Sequence, residues 1–384
     1  MQRDSAKRAP DRARARLALH LHYSARRTGF LLCDERLSVA RATARIAALF
    51  LVPCLLALAG CKRAPTSTAR GDSTGAAHNK TAEGTGKQRQ IAVIPKGTTH
   101  EFWKSVHAGA VKASRELGVQ IIWKGPVRED DRAEQIRVVE DFVSRGVDGI
   151  VLAPLDDTAL VPVVKDAASR KIPVVIIDSG LEWDGRVSFV ATDNRQGGTV
   201  AARRLAELVS KKGNVAMMRY QEGSASTMER EKGFMETLAR EFPNVKLVSH
   251  NQYGGATTET AYKTAENLLI KLPDLAGVFC PNESTTFGML RALEDAKRTG
   301  KVRFVGFDAS TKLVDALERG SIQGLVVQNP FAMGERGVAA VVAHLAGKPV
   351  EPRIDTGAVL ATPENRTTPE VAPLLEPDLR KWLE

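Results

Sequence analysis

From residue 90 onward the chain alternates short apolar, β-branched runs with longer amphipathic stretches, and this alternation narrows the possible folds more than any other feature. The runs occupy residues 91–95, 119–123, 149–153, 174–178, 189–192, 215–218, 245–249, 276–280, 302–308 and 322–327. Amphipathic stretches at 100–117, 132–145, 196–211, 227–242, 257–272 and 287–298 separate most of them. Strands that alternate with helices predict parallel sheets covered by helices on both faces. Ten strands are many for one such sheet. The expected class is therefore α/β, with two doubly wound parallel-sheet lobes, a hinge and a ligand cleft between the lobes.

Composition places the chain among soluble globular proteins: 43 % of its residues are hydrophobic, 26 % charged and 5 % aromatic. Disordered, collagenous and polytopic membrane classes are excluded. The net charge of +10 would suit a nucleic-acid binder if it were spread over the fold. It is not, because residues 1–60 hold 11 Lys/Arg against 4 Asp/Glu, leaving 44 basic and 41 acidic groups in the rest. No nucleic-acid partner is expected.

Residues 46–60 read IAALFLVPCLLALAG, an uncharged run behind Arg41 and Arg45 and ahead of Cys61, Lys62 and Arg63. Its length is short for a bilayer span and right for the apolar core of a signal peptide. Leu58, Ala59, Gly60 and Cys61 together resemble a bacterial lipobox, which makes Cys61 the expected lipidation site and residues 1–60 the leader. Residues 1–38 are Arg-rich and aperiodic, Met1 is the only methionine before the apolar run, and the true start is expected at a non-AUG codon near Val39 or Leu37. Residues 61–89 carry almost no large apolar side chain and are expected to form a flexible tether, with a root-mean-square span of roughly 30 Å. Cys33 and Cys54 fall in the leader, so Cys280 stands alone in the mature domain and is expected to be a core thiol.

Ligands of open α/β sheets collect where strands end and helices begin. The loops at 96–103, 153–157, 178–183, 193–194, 220–230, 281–285, 307–311 and 328–330 hold most of the planar polar groups and aromatics of interest. Phe102 and Trp103, with His100 before them, form an aromatic pair able to stack on the CH face of a sugar, although a core role is the simpler reading of the pair alone. Asp178, Arg230, Asn282, Asp308 and Gln328 follow five different runs and offer carboxylates, a five-donor fork and two amides, the set a polyol needs. Singly, each has a structural alternative as a cap, a helix-face ion pair or a hinge decoration.

In order along residues 90–362, these motifs resemble the type I periplasmic sugar-binding proteins of the ribose, galactose and arabinose group. Ile91 to Pro95 followed by His100-Glu-Phe-Trp103 resembles the first strand and stacking pair, and Ile176-Ile-Asp178 the strand whose Asp holds hydroxyls. Asp193-Asn194 with Gly197-Gly198 resembles the first interlobe crossing. Met228-Glu-Arg230 through Gly233-Phe234, Pro281-Asn282-Glu283, Val305-Gly-Phe307-Asp308 and Val327-Gln328-Asn-Pro330 resemble the second-lobe ligand residues and the second crossing. The resemblance implies a ligand set of Lys96, His100, Phe102, Trp103, Asp178, Arg230, Asn282, Phe307, Asp308 and Gln328, with a hinge at Asp193 and Asn194. It implies a first lobe of residues 90–192 plus about 329–357, a second of 193–328 plus about 358–362, and a Pro-punctuated tail at 363–384.

It also implies the extracytoplasmic component of an ATP-driven importer. Such a component is a monomer without metal or cofactor, closes on a pentose or hexose, and hands it to a permease with its ATPase. A sensory role, presenting the ligand to a chemoreceptor or kinase, is the alternative. The chain departs from the ribose type at Ser179, where an Arg stands, at Ala153, where an amide is common, and at His100, where an Asn stands. Lys96 resembles the arabinose type, and an anionic substituent on the sugar is expected only if Lys96 faces the cleft uncompensated. No nucleophile elbow, phosphate loop or zinc-protease motif is present, and a leader stands where a transcription regulator would have its helix-turn-helix, so neither enzyme nor regulator is expected.

Overall fold

The computed structural model describes residues 88–384. The leader, Cys61 and all but the last two residues of the tether lie outside the described residues. The first lobe runs β1 (Gln90–Ile94), α1 (Glu101–Leu117), β2 (Gln120–Trp123), α2 (Arg132–Arg145), β3 (Gly149–Leu152), α3 (Val161–Ser169), β4 (Val174–Ile177) and β5 (Ser188–Ala191). The chain crosses to a second lobe of α4 (Asn194–Leu208), β6 (Gly213–Arg219), α5 (Ala225–Glu241), β7 (Val245–Tyr253), α6 (Thr258–Lys271), β8 (Gly277–Phe279), α7 (Glu283–Asp295), β9 (Arg303–Phe307), α8 (Thr311–Glu318) and β10 (Gly324–Gln328). It returns as α9 (Pro330–Leu345) and β11 (Arg353–Asp355), crosses again to β12 (Ala358–Ala361), and ends in α10 (Ala372–Leu375) and α11 (Arg380–Leu383).

The two sheets have matching strand orders, β2-β1-β3-β4-β5-β11 and β7-β6-β8-β9-β10-β12. Every pairing is parallel except β10 with β12. The strand order reverses beside β1 in one sheet and beside β6 in the other, which is where a crevice opens at the carboxyl ends of parallel strands. Central strands such as β3 (GIVL) and β4 (VVII) are buried at every position because helices cover both faces, so their sequences read as unbroken apolar runs. Gly118 and Gly146 stop α1 and α2 in the left-handed conformation, at φ 65° in both cases.

The structure adds two strands to the ten expected from sequence. β11 and β12 have three and four residues, sit at the sheet edges and are partly exposed, too short to register as periodic runs. It also starts α7 at Glu283, not at residue 287, because the Asn282 side chain caps the helix before its apolar face begins.

Each lobe buries one helix pair whose backbones touch through glycines. A Cβ on Gly109 would lie 1.9 Å from the Phe331 carbonyl oxygen, and one on Gly334 would lie 1.9 Å from that of Val106, where α1 meets α9. The second lobe repeats the device, with Gly198 against the Arg230 carbonyl at 1.9 Å and Gly233 against that of Arg195 at 2.1 Å, where α4 meets α5.

The C-terminal tail neither trails nor stays on one lobe. Val371 and Leu375 are buried in the second-lobe core. Beyond Pro377 the chain reaches the first lobe, where Arg115 donates to the Lys381 and Trp382 carbonyls at 3.2 and 3.1 Å and lies over the Trp382 indole. Trp183 does not enter the cleft; it packs against the first-lobe core beside Gly185. Cys280 is fully buried at the end of β8, and burial pushes its thiol pKa well up, as suits an inert core group.

Candidate functional site

The carboxyl ends of the two sheets face each other across a cleft with an empty volume of about 340 Å³. Lys96, His100, Phe102, Trp103 and Asp178 line it from the first lobe, and Arg230, Asn282, Asp308 and Gln328 from the second. Phe307 does not reach it. Its ring is fully buried beneath Arg230, whose guanidinium carbon lies 3.9 Å from the ring centroid, so Phe307 supports a lining residue instead of lining the cleft itself.

Two aspartates hold matching places. Asp178 follows β4 and Asp308 follows β9, the corresponding strands of the two sheets, and both adopt positive φ, 62° and 69°. A non-glycine residue in that region carries strain that the surrounding structure must over-determine. The amide of Asp178 donates to the Val190 carbonyl at 3.1 Å, and that of Asp308 to Val326 at 2.9 Å, which fixes both turns.

On the first-lobe side, Lys96 Nζ sits 2.8 Å from Asp178 Oδ2 and donates to Ser226 Oγ at 3.1 Å across the cleft. The Arg absent at position 179 is thus replaced by a cation delivered from the end of β1. Ser179 instead accepts the Ser226 amide at 3.0 Å, a contact that also spans the lobes. Lys96 is compensated, which removes the condition under which an anionic ligand was expected.

Arg230 projects from the first turns of α5. Its Nε donates to Asn194 Oδ1 and its Nη1 to the Pro281 carbonyl, both at 2.8 Å, and Nη1 lies 3.9 Å from Asp308 Oδ2. Asn194 also donates to the Asp178 carbonyl at 3.4 Å, so a residue of the first crossing ties one aspartate turn to the arginine opposite. Asp193 caps α4 by accepting the Gln196 amide at 2.9 Å. Asp308 accepts from Gln328 Nε2 at 2.6 Å and from the Glu283 amide at 3.0 Å. Gln328 Oε1 is buried with no hydrogen-bond partner, a free acceptor at the cleft. Asn282 combines both roles weighed for it: it lines the cleft, and its Oδ1 accepts from Thr285 Oγ1 at 2.6 Å.

Phe102 and Trp103 meet edge to face, with centroids 4.9 Å apart. His100 is the N-cap of α1 and not a helical residue, so it shares no helix face with His107, which stacks on Trp123 with centroids 4.4 Å apart. His100 Nδ1 lies 2.6 Å from Glu129 Oε1.

Glu129 and Glu283 complete the lining and were not selected from sequence. The strand-end rule would have reached Glu129 had it been applied after β2, but the surrounding run Arg128-Glu129-Asp130-Asp131 reads as a solvated loop. Burial opposes charge on both partners, yet mutual attraction wins: the Glu129 carboxylate carries the His100 pKa up to about 9, and His100, Tyr220 and Lys96 hold Glu129 at about 2. Glu283 goes the other way, pushed up to about 7 by burial, with Asp308 and Glu129 adding to it against His100.

These shifts make stability depend on pH. A carboxyl raised from its usual 4.5 to about 7 contributes fully below pH 4.5, and the contribution is lost as pH rises through 7. The His100 cation contributes below 6.5 and fades toward 9, and Glu129 contributes above 4.5 and fades toward 2, so neither changes much between pH 5 and 6. Glu283→Gln should therefore gain on the parent protein, by on the order of 1–2 kcal/mol, as pH rises from about 5 to 7. Denaturant unfolding along that pH series checks it; parallel curves for the two proteins would contradict the assignment.

Several bonds show the lobes closed on each other. The Asp157 amide donates to the Gly223 carbonyl at 2.9 Å, Arg132 to the Glu222 carbonyl at 2.8 Å, and the Thr311 amide to Glu101 Oε2 at 3.0 Å. Among the described residues no group of three or more His, Cys, Asp or Glu side chains is placed to hold a metal ion, and no helix is long and apolar enough to cross a membrane.

Comparison with known proteins follows the same lines. The profile of the periplasmic binding protein domain matches residues 91–349. The D-ribose/D-allose-binding protein of Pseudomonas aeruginosa is 30 % identical over 303 residues, covering 76 % of this chain and 92 % of that protein. A carbohydrate transporter solute-binding protein from Agrobacterium radiobacter, solved with D-arabinose, superimposes with a TM-score of 0.73 at 34 % identity over 75 % of this chain and 99 % of its own. An ABC transporter solute-binding protein from Agrobacterium vitis, solved with D-fucose, gives 0.72 at 37 % identity over 75 % and 100 %. Sequence profile and architecture agree, and the chain belongs to the periplasmic binding protein family.

Proposed function

We propose that this protein is the extracytoplasmic binding component of an ABC importer and that it captures a neutral monosaccharide, a pentose or hexose, by closing its lobes. The observation that carries the reading is the charge balance of the cleft. Lys96 pairs with Asp178, His100 with Glu129 and Arg230 with Asp308, while Glu283 is held near its protonated form. No cation is left over to recruit a phosphate or carboxylate, and what the walls offer is hydroxyl-directed: carboxylates, a guanidinium, the free Gln328 acceptor and an aromatic edge. The ligand contacts both lobes and so favours the closed form, which is the form a permease would read. The relatives solved with D-arabinose and D-fucose support a sugar of this size.

Titration calorimetry against a panel of D-ribose, D-arabinose, D-fucose, D-allose and their phosphates tests the reading. A neutral sugar should bind and its phosphate should not. Asp308→Ala should weaken the best sugar by more than about tenfold, the loss of one charged hydrogen bond. Tighter binding of the phosphates would overturn it.

The leader and tether give the same picture outside the fold. We infer that Cys61 is lipidated and that residues 61–89 let the domain move as a monomer beside the membrane that holds it. Incorporation of labelled palmitate that survives Cys61→Ser would refute the anchor.

A further inference from the structure

Glu129 sits in the loop between β2 and α2, a polar side chain 6 % exposed at the meeting of the two lobes. Its carboxylate collects three donors. On the first-lobe side, His100 Nδ1 lies at 2.6 Å and Trp103 Nε1 at 2.5 Å, both on Oε1. The other oxygen accepts from the hydroxyl of Tyr220 at 2.6 Å, and Tyr220, 1 % exposed, follows β6 in the second lobe. The Glu129 carbonyl also accepts from Gln221 at 3.0 Å, again from the second lobe. The backbone is cut away to admit this side chain: a Cβ on Gly97 would lie 2.8 Å from Glu129 Cγ.

One carboxylate therefore does two things at once. Through Oε1 it fixes the indole of Trp103 and the imidazole of His100, the stacking wall of the cleft. Through Oε2 it holds a hydroxyl that comes within reach only when the lobes are shut. We propose that Glu129 is a positioning residue that couples the order of the aromatic wall to lobe closure, with Tyr220 as its second-lobe catch. The proposal rests on the sugar-binding reading for its consequence, weaker capture when the catch is lost, but the catch itself requires no ligand. A hydroxyl-carboxylate bond present in the closed form and absent from the open one multiplies the closed:open ratio by roughly tenfold or more. Apparent sugar affinity then falls by the same factor when the bond is removed, because only the closed fraction is competent.

Tyr220→Phe removes the hydroxyl and keeps the ring, and Glu129→Gln keeps the shape and removes the charge. The experiment uses the exported protein with one dye on each lobe and reads the closed fraction without ligand by energy transfer, for the parent, both single variants and the double variant. Denaturant unfolding beside it reports whether each variant is folded. Tyr220→Phe is expected to lower the closed:open ratio about tenfold, Glu129→Gln at least as much, and the double variant no more than Glu129→Gln alone. In the same proteins, Glu129→Gln but not Tyr220→Phe should shift the Trp103 contribution to fluorescence, taken as the difference from Trp103→Phe. Closed fractions equal to the parent in a folded Tyr220→Phe, or losses that simply add in the double variant, would overturn the proposal. Failure of every panel sugar to bind while the ligand-free ratios behave as expected would instead remove the sugar-binding reading and leave the catch standing.

Discussion

Arg230→Ala should weaken sugar binding by on the order of a hundredfold or more, the equivalent of two charged hydrogen bonds, and should also destabilise the folded protein by about 3–5 kcal/mol. Both losses come from one geometry. Arg230 is buried, with Asn194 on one side, the Pro281 carbonyl on another, Phe307 beneath and Asp308 beside it. Removing it takes away the fork that meets the ligand and leaves the Asp308 carboxylate, which burial already pushes toward its neutral form, without its nearest cation. It also frees Asn194 at the first crossing. Arg230→Lys keeps the charge but cannot bond Asn194 and Pro281 through one planar group, so it should recover part of the stability and little of the affinity. Calorimetry and urea unfolding of the two variants separate these terms. Affinity within threefold of the parent in Arg230→Ala would remove Arg230 from the ligand shell.

Gly198→Ala is the second large effect, and its sign has to be decided between two terms. Alanine in place of glycine inside a helix gains about 1 kcal/mol from propensity alone. Here the added Cβ would meet the carbonyl oxygen of Arg230 at 1.9 Å, and its carbon and the Phe234 nitrogen at 2.7 and 2.9 Å. These are backbone atoms of α5, which cannot turn aside as a side-chain tip would. Overpacking a tight interface costs about 1–3 kcal/mol when neighbours can adjust, and a contact this short against a rigid helix lies at or beyond the top of that range. A net loss of about 2–3 kcal/mol is expected, with α5 pushed away from α4. Because the atom displaced belongs to Arg230 itself, sugar affinity should fall together with stability. A Gly198→Ala protein with a raised melting temperature would show that the helices separate without cost.

Several features of this protein were legible in the order of its residues. β-branched runs at strand length, separated by amphipathic stretches, are local signals, and they specified parallel sheets in two lobes. The rule that ligands gather after strand ends then selected Lys96, His100, Phe102, Trp103, Asp178, Arg230, Asn282, Asp308 and Gln328, all of which line one cleft. Where it failed, the cause was long-range. Phe307 belongs to a strand end by sequence, but the pleat turns its ring under Arg230. β11 and β12 exist only because neighbouring strands offer open edges to three and four residues.

Charge pairing was beyond the sequence altogether. Lys96 and Asp178 are 82 positions apart, and nothing local says that the first compensates the second. Glu129 lies 91 positions from Tyr220 and reads in its own loop as a solvated acid, whereas three donors brought from two lobes make it a buried carboxylate. Periodicity decides which face of an element is buried, because that depends on the next few residues. Whether a buried charge is matched depends on which distant chain the closed lobes place within hydrogen-bonding reach, and that is decided in three dimensions.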